Sequence, residues 1–214
     1  GIRIEATETS TISSVAVAAA ASIALGGGVA AGGAGVTSNN TITNTVAAFI
    51  LSSGNVRSAL GVVVLADDKA TISAVIVSVS LSAGFSAIAI GVSLASNIIS
   101  DDVSASIAGS SVTALGGDIS GTATYVPTVT TVSVTAAIAA GVGGAGAGAD
   151  SNVAIGGTTE ASIDGSSLTA SDHLVSFAAN STVNAAPSTI AVGAGLAAVA
   201  AMTSNATVTG ATRA

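Results

Sequence analysis

The chain has 214 residues, a formal charge of −7 and only four cations, Arg3, Arg57, Lys69 and Arg213; it lacks the positive charge needed to grip a phosphate backbone, which excludes nucleic acid as a partner. Charged residues make up 7 % of the chain and aromatic residues 2 %, while half the residues are apolar, chiefly Ala and Val. Any core must therefore be thin and close-packed, the solvent face must be Ser, Thr, Asn and Gly, and the absence of cysteine excludes a disulfide framework or a thiolate metal site.

In chain order the sequence repeats itself about every 57 residues. The first repeat, residues 1–61, runs from an alternating segment at 3–9 through 12–25, a Gly26-Gly27-Gly28 break, 29–36, a turn at Ser38-Asn39-Asn40 and a strand at 41–51. The second, 62–117, returns at Val62, passes Ala66-Asp67-Asp68, a long segment at 71–95, Ser96-Asn97 and a strand at 103–108, and ends on Gly109-Ser110-Ser111. The third, 118–170, opens near Asp118, and the fourth, 171–214, near Asp172. A Ser-Asn pair recurs with Asn39, Asn97, Asn152 and Asn205, and these four are expected at repeated structural turns. Ile12, Ile72, Val132 and Ile190 form a second series, and Ile50, Ile107 and Ile163 a third.

Residue type decides strand over helix. Ala is interleaved with Val, Ile, Thr, Ser and Gly, and each Gly costs a helix about 1 kcal/mol. Segments such as Thr41-Ile42-Thr43-Asn44-Thr45-Val46 and Val103-Ser104-Ala105-Ser106-Ile107 alternate with the period of two of a half-buried strand. The Ala/Gly blocks at 15–35, 83–95, 136–149 and 190–201 are apolar on both faces and read as strands covered from both sides, with small residues letting layers approach. No single repeat could bury such strands, so stacked repeats must supply the cover. The expected fold is all-β, a parallel β-solenoid (β-helix) built from four repeats of about 57 residues as one continuous segment, 1–214. Each period fits either three coils of about 19 residues or one wide, flattened coil.

The run from Val15 to Val36 is long enough to span a bilayer. It is nevertheless Gly- and Ala-rich, lacks Trp and Tyr anchors and has no Lys/Arg loops to orient it, so no transmembrane span is expected. There is no basic stretch ahead of an apolar one at the N-terminus, and a targeting signal is expected outside this segment.

Gly109-Ser-Ser-Val-Thr-Ala and Gly165-Ser-Ser-Leu-Thr-Ala, each followed by an Asp-led strand, resemble repeats of very large bacterial filamentous adhesins of the leukotoxin and filamentous-haemagglutinin type, as does the Ala/Gly block ending in Ser-Asn. The resemblance covers essentially the whole chain. It implies a secreted or surface-attached β-solenoid stalk, extracellular or at the cell surface, acting in adhesion or scaffolding. It carries over no catalytic residue, cofactor or metal ligand. Implied partners are neighbouring repeats of a longer chain, self-association end to end or laterally, and a host or cell-surface receptor that the sequence does not identify. A self-assembling extracellular filament and an ice-binding solenoid are the alternatives.

Other candidate sites resolve to bland readings. Gly141-Val142-Gly143-Gly144-Ala145-Gly146, with Asp164 downstream, matches the dinucleotide-binding spacing, but the residues that follow should turn instead of opening the required helix. Ser171-Asp172-His173 gathers the residue types of a hydrolase triad, yet adjacent strand residues point to opposite faces. Asp67-Asp68 and Asp101-Asp102 could offer oxygens to Ca²⁺, but neither pair has a third carboxylate nearby, and they read as solvated turn residues that discourage misregistered stacking. Thr41, Thr43 and Thr45, with Thr128, Thr130 and Thr131, suggest an ice-binding array whose phase is not kept in the next repeat. Asn39, Asn180 and Asn205 fit the glycosylation acceptor pattern and point to exposure.

Overall fold

The computed structural model describes residues 1–214, with strands throughout and no helix. β1 (Ile2–Glu8) and β2 (Thr11–Ile23) run along one wall. The glycine tip at 26–28 reverses the chain, β3 (Val29–Ile42) and β4 (Thr45–Leu51) return along the facing wall, and β5 (Val56–Ser58) closes the coil. The same succession recurs as β6 (Val62–Asp68), β7 (Thr71–Ala83), β8 (Ser86–Ala108) and β9 (Ser111–Ala114). It recurs again as β10 (Ile119–Tyr125), β11 (Thr128–Ala140), β12 (Gly144–Asp164) and β13 (Ser167–Ala170), and then as β14 (Val175–Ser181), β15 (Asn184–Ala194), β16 (Ala197–Val208) and β17 (Ala211–Arg213).

Each strand pairs in parallel with its counterpart one traverse later, giving sheets ordered β1-β6-β10-β14, β2-β7-β11-β15, β3-β8-β12-β16 and β5-β9-β13. Ile2 lies beside Val62, Val62 beside Ile119 and Ile119 beside Val175, offsets of 60, 57 and 56 residues. The protein is therefore a parallel β-solenoid, and its coil is the broad one: a residue's ladder neighbour is a full traverse away, not 19 residues away. β8, with 23 residues, is about 75 Å long at ~3.3 Å per residue. The molecule is a wide two-walled slab, in which β7 and β6 both pack against β8.

Side-chain size divides the space between the walls. Toward the β5 end, Val62, Val64 and Ile72 on one wall meet Ile99, Val103 and Ile107 on the other within a cluster of 22 buried residues. Toward the glycine tip the fill shrinks to Ala87, Ala89, Ala137, Ala139, Ala145 and Ala147. There the walls touch almost directly: Ser78 Oγ donates to the Ala34 carbonyl and Ser80 Oγ to the Gly32 carbonyl, each at 2.9 Å. These carbonyls belong to the opposite wall, so one hydroxymethyl group spans the gap.

A polar column separates the two zones. Asn40 Nδ2 donates to Asn97 Oδ1 at 2.7 Å, Asn97 Nδ2 donates to Thr131 Oγ1 at 2.6 Å, and Ser93 shares hydrogen bonds with Ser133 and Thr135. Asn97, Ser93, Ser133 and Thr135 are fully buried, and their mutual bonding offsets the cost of taking polar groups from water.

The repeated Gly-Ser-Ser phrase has a backbone cause. Gly109 and Gly165 turn the corner after the long strand with φ of 56° and 52°, in the left-handed region that glycine enters without a Cβ clash. In the first traverse Ser52 holds the same corner at φ 51°. The first serine of the phrase then links traverses, since Ser53 N donates to Ser110 Oγ at 3.0 Å and Ser110 N to Ser166 Oγ at 3.1 Å.

Three expectations are corrected. Asn39, Asn97, Asn152 and Asn205 lie inside β3, β8, β12 and β16, not at turns. They are also not one column: Asn39 stacks on Ser96, Asn152 on Asn205, and Asn97 on Asn40. A one-residue slip moves a side chain to the other face, which is why Asn97 is buried while Asn39, Asn152 and Asn205 face out. The Ile12–Ile72 pairing is in register, but the third and fourth members of that column are Val129 and Ala185, not Val132 and Ile190. Ile50, Ile107 and Ile163 do stack as one column. Finally, the Ala/Gly strands are covered on one side only: Val15, Val17 and Ile23 are more than 60 % exposed.

The two zones should respond oppositely to side-chain size. A Cβ on inward-facing Gly91 would sit 2.8 Å from the Thr135 methyl and 3.2 Å from the Ala136 carbonyl, so Gly91→Leu should wedge the walls apart and cost about 2–3 kcal/mol. Ile107→Ala, in the thick zone, should instead leave a void and cost about 3 kcal/mol. Urea unfolding followed by circular dichroism checks both; a neutral Gly91→Leu would mean that the walls are not in contact.

Candidate functional site: bare outer faces and a buried carboxyl pair

The distribution of charge and apolar surface follows directly from the two-walled coil. No charged residue occurs in 9–56, 70–100, 119–149 or 174–212, so the half of the slab nearest the glycine tip carries Asp150 alone. On the wall built by β2, β7, β11 and β15 the outward columns read Val15-Val75-Val132-Ser188, Val17-Val77-Val134-Ile190 and Ala19-Val79-Ala136-Val192. On the other wall β8 presents Ile88, Ile90, Val92 and Leu94 outward. The tips joining the walls expose Leu25, Phe85, Val142 and Leu196. At ~3.3 Å per residue and ~4.8 Å between strands, each bare face covers roughly 600 Å². A patch of that size on each of two faces exceeds what a monomer's surface ordinarily carries.

The opposite end holds the one concentration of ionisable groups in the interior. Asp68, at the end of β6, and Asp101, inside β8, come from opposite walls and meet between them, each with zero exposure. Asp101 Oδ1 accepts from the Asn44 backbone N–H at 2.6 Å, but no donor group reaches either oxygen of Asp68 or the second oxygen of Asp101. The two carboxyls are close neighbours in this buried space. Burial without donors and the closeness of a second carboxyl both disfavour the doubly ionised pair, so the neutral form of Asp68 is favoured. Burial, then the neighbouring Asp101, pushes the Asp68 carboxyl up to about 7, and burial also raises Asp101. Tyr125, stacked on Asp68, is raised mainly by burial and donates its hydroxyl to the Gly156 carbonyl at 3.1 Å. Beside Asp101 in the ladder, Gly157 has φ 114° and a Cβ there would run into the Asp101 backbone carbonyl, so the position is held by glycine.

Asp68 and Asp101 are therefore not the solvated turn residues the sequence suggested. Their neighbours have structural work of a different kind: Asp102 Oδ1 accepts from Thr158 N at 3.0 Å, and Asp118 Oδ1 accepts from Leu174 N at 3.0 Å, each one traverse away. Acidic residues thus fasten successive coils, Asp102 within the long strand and Asp118 at the corner before β10. No three His, Asp or Glu side chains gather in a metal-holding group. The signal that could have found the buried pair was weak, two aspartates 33 positions apart in sequence whose inward phase becomes visible only once the register is known.

The remaining candidates are scattered. Residues 141–146 form a bend at the tip and enter β12, with no helix to meet a pyrophosphate. Ser171, Asp172 and His173 form a corner in which Asp172 has φ 57° and His173 Nδ1 lies 3.7 Å from Asp118. Thr128 and Thr130 face outward, but Thr131 turns into the core against Asn97. Asn39, Asn180 and Asn205 all face out. A cavity of about 260 Å³ opens beneath Tyr125 at the last traverse, lined by Ile155, Val183, Val208, Thr209 and Gly210 among others, with Tyr125 the only ionisable group in its wall. No helix is long and apolar enough to cross a membrane.

The carboxyl pair gives stability a pH dependence of defined sign. Asp68 holds its proton in the folded chain up to about 7 but releases it near 3.8 when unfolded, so between these values the native state binds more protons and stability falls as pH rises. Asp101, also raised, acts in the same direction. Wild-type stability should drop by about 3 kcal/mol from pH 4 to pH 8, and Asp68→Asn should flatten that slope and be the more stable form at pH 8. Urea unfolding across this range checks it, and a wild-type stability that rises with pH would contradict the proton held on Asp68.

Comparison of the chain with family models, with curated proteins and with solved structures found no match.

Proposed function

We propose that this chain is a structural, non-catalytic segment of a very large exported bacterial adhesin or surface fibre, acting outside the cell or at its surface in adhesion or scaffolding. The observation that carries this reading is the disposition of its surface: two broad apolar faces built from repeated columns and carrying Asp150 as their single charge, in place of a cleft with converging polar groups. A ladder in which each residue bonds to its counterpart one traverse away resists shear along the whole slab width, because the strands must be broken together. The small inward residues support the same role by keeping the two walls in contact. Binding in such a molecule comes from faces that repeat, and the receptor would be met by a surface instead of a pocket.

A self-assembling extracellular filament is the second reading, favoured by the same bare faces, which need a cover. The ice-binding alternative draws less support, since the outward Thr11-Thr71-Thr128 column ends on Asn184 and the column beside it, Ser13-Ser73-Thr130-Ala186, holds a single Thr.

Immunogold labelling of the source cells with antibody raised against the folded chain tests the proposal. Gold at or beyond the cell surface is the expected result, and labelling confined to the cell interior would overturn it.

A further inference from the structure

The wall formed by β3, β8, β12 and β16 carries a relief that matches itself. One outward row across the four strands reads Gly33, Ile90, Gly146, Val199, and the next reads Gly35, Val92, Gly148, Ala201. Large and small residues alternate from strand to strand, so β8 forms a ridge with a glycine groove on either side. The ridge is bare, with Ile90 53 % and Val199 70 % exposed.

Nothing inside the fold asks for the grooves. A Cβ added at Gly35, Gly146 or Gly148 would meet no atom within 4 Å, and at Gly33 only the Ile90 carbonyl at 3.9 Å. None of the four has a backbone conformation reserved for glycine. Gly in a strand interior costs roughly 0.5–1 kcal/mol against Ala. Where it serves no bulge or bend, it marks a place where a ligand or another backbone approaches closely. These four face outward beside an apolar ridge, which places the approaching chain outside the coil.

We propose that this wall is a dimer interface between two copies of the chain, related by a two-fold axis parallel to the strands and midway between β8 and β12. That operation keeps each row on itself and exchanges β8 with β12 and β3 with β16. Ile90 of each copy then lies over Gly146 of the other, Val92 over Gly148, and Val199 over Gly33. An axis along the solenoid through β8 would instead set ridge on ridge. The interface is isologous and closed. Its charge-free rows, about 26 Å along the strands by ~19 Å across them, give roughly 500 Å² a side, near the ~600 Å² per partner at the small end of stable interfaces once the corrugation is added, and the next row, Thr37-Leu94-Asp150-Thr203, forms a rim that keeps Asp150 at the water edge. A bilayer fits less well, because burying this half in hydrocarbon would strand the unpaired backbone groups of β3 and β16 at the ends of the ladder. A flat partner would leave the grooves empty.

This deepens the structural reading of the chain and rests on it only in taking the outer faces as the working surfaces. Sedimentation equilibrium of the purified chain at about 50 μM should give a dimer. Gly146→Val with Gly148→Val fills the groove without touching the fold, so circular dichroism should stay wild-type and melting should stay at or above the wild-type value while dimerisation weakens at least tenfold. Ile90→Ala with Val92→Ala trims the ridge and should weaken its own dimer too. Mixing the two variants restores one complete fit, trimmed ridge over filled groove and intact ridge over intact groove, so heterodimers should form more tightly than either homodimer. A monomeric wild type, a groove-filled variant that dimerises like wild type, or a mixture that fails to recover would each overturn the proposal, and none of these results bears on where the chain resides in the cell.

Discussion

The parallel ladder between successive traverses is the interaction on which everything else rests. Because it runs in register over strands of up to 23 residues, it turns the sequence into columns, and every other property is a property of a column. Inward columns of Ile and Val make the thick zone, inward columns of Ala, Ser and Gly make the thin one, and outward columns decide what the faces offer. The ladder also determines which substitutions are silent, since a residue can be exchanged freely only if its column neighbours accept the change.

Side-chain volume then shapes the molecule where a globular protein would rely on aromatic bulk. With Ala and Ser as fill, the walls near the glycine tip approach until serine hydroxyls reach the backbone carbonyls opposite. Farther along, a buried asparagine and hydroxyl column marks the change of thickness, and the carboxyl pair of Asp68 and Asp101 lies beyond it, amid the Ile/Val zone. Thinness has a consequence for the outside as well: a two-walled slab has much surface and little interior, so an apolar composition that a globule would bury is left on the faces. The same constraint that builds the coil therefore leaves apolar columns on its outer faces.

Much of this was legible in the sequence, and the parts that were not share a cause. Alternation at 41–46 and 103–107, glycine breaks and the recurring phrases identify strands and a parallel repeat, and Ile50, Ile107 and Ile163 stack as their spacing implies. Period alone does not reveal cross-section, because a 57-residue repeat has the same signature whether its strands pair after 19 residues or after 57. Register is equally hidden at single-residue precision. Asn97 resembles Asn39, Asn152 and Asn205 in context, yet a slip of one residue puts it in the core. The meeting of Asp68 with Asp101 and the groove-and-ridge relief of the outer wall are both products of register, and neither has a local motif to announce it.

The broad in-register coil is tested most directly by measuring the distance between two outward residues one traverse apart. Ser73 and Thr130 are ladder neighbours, both exposed, and the chain has no native cysteine. Nitroxide labels on Ser73→Cys and Thr130→Cys should sit within about 5–10 Å of each other, given a ladder spacing of ~4.8 Å, and broaden the spectrum strongly relative to either single label. A doubly labelled spectrum equal to the sum of the two singles would show that these residues are not stacked and would contradict the account at its base.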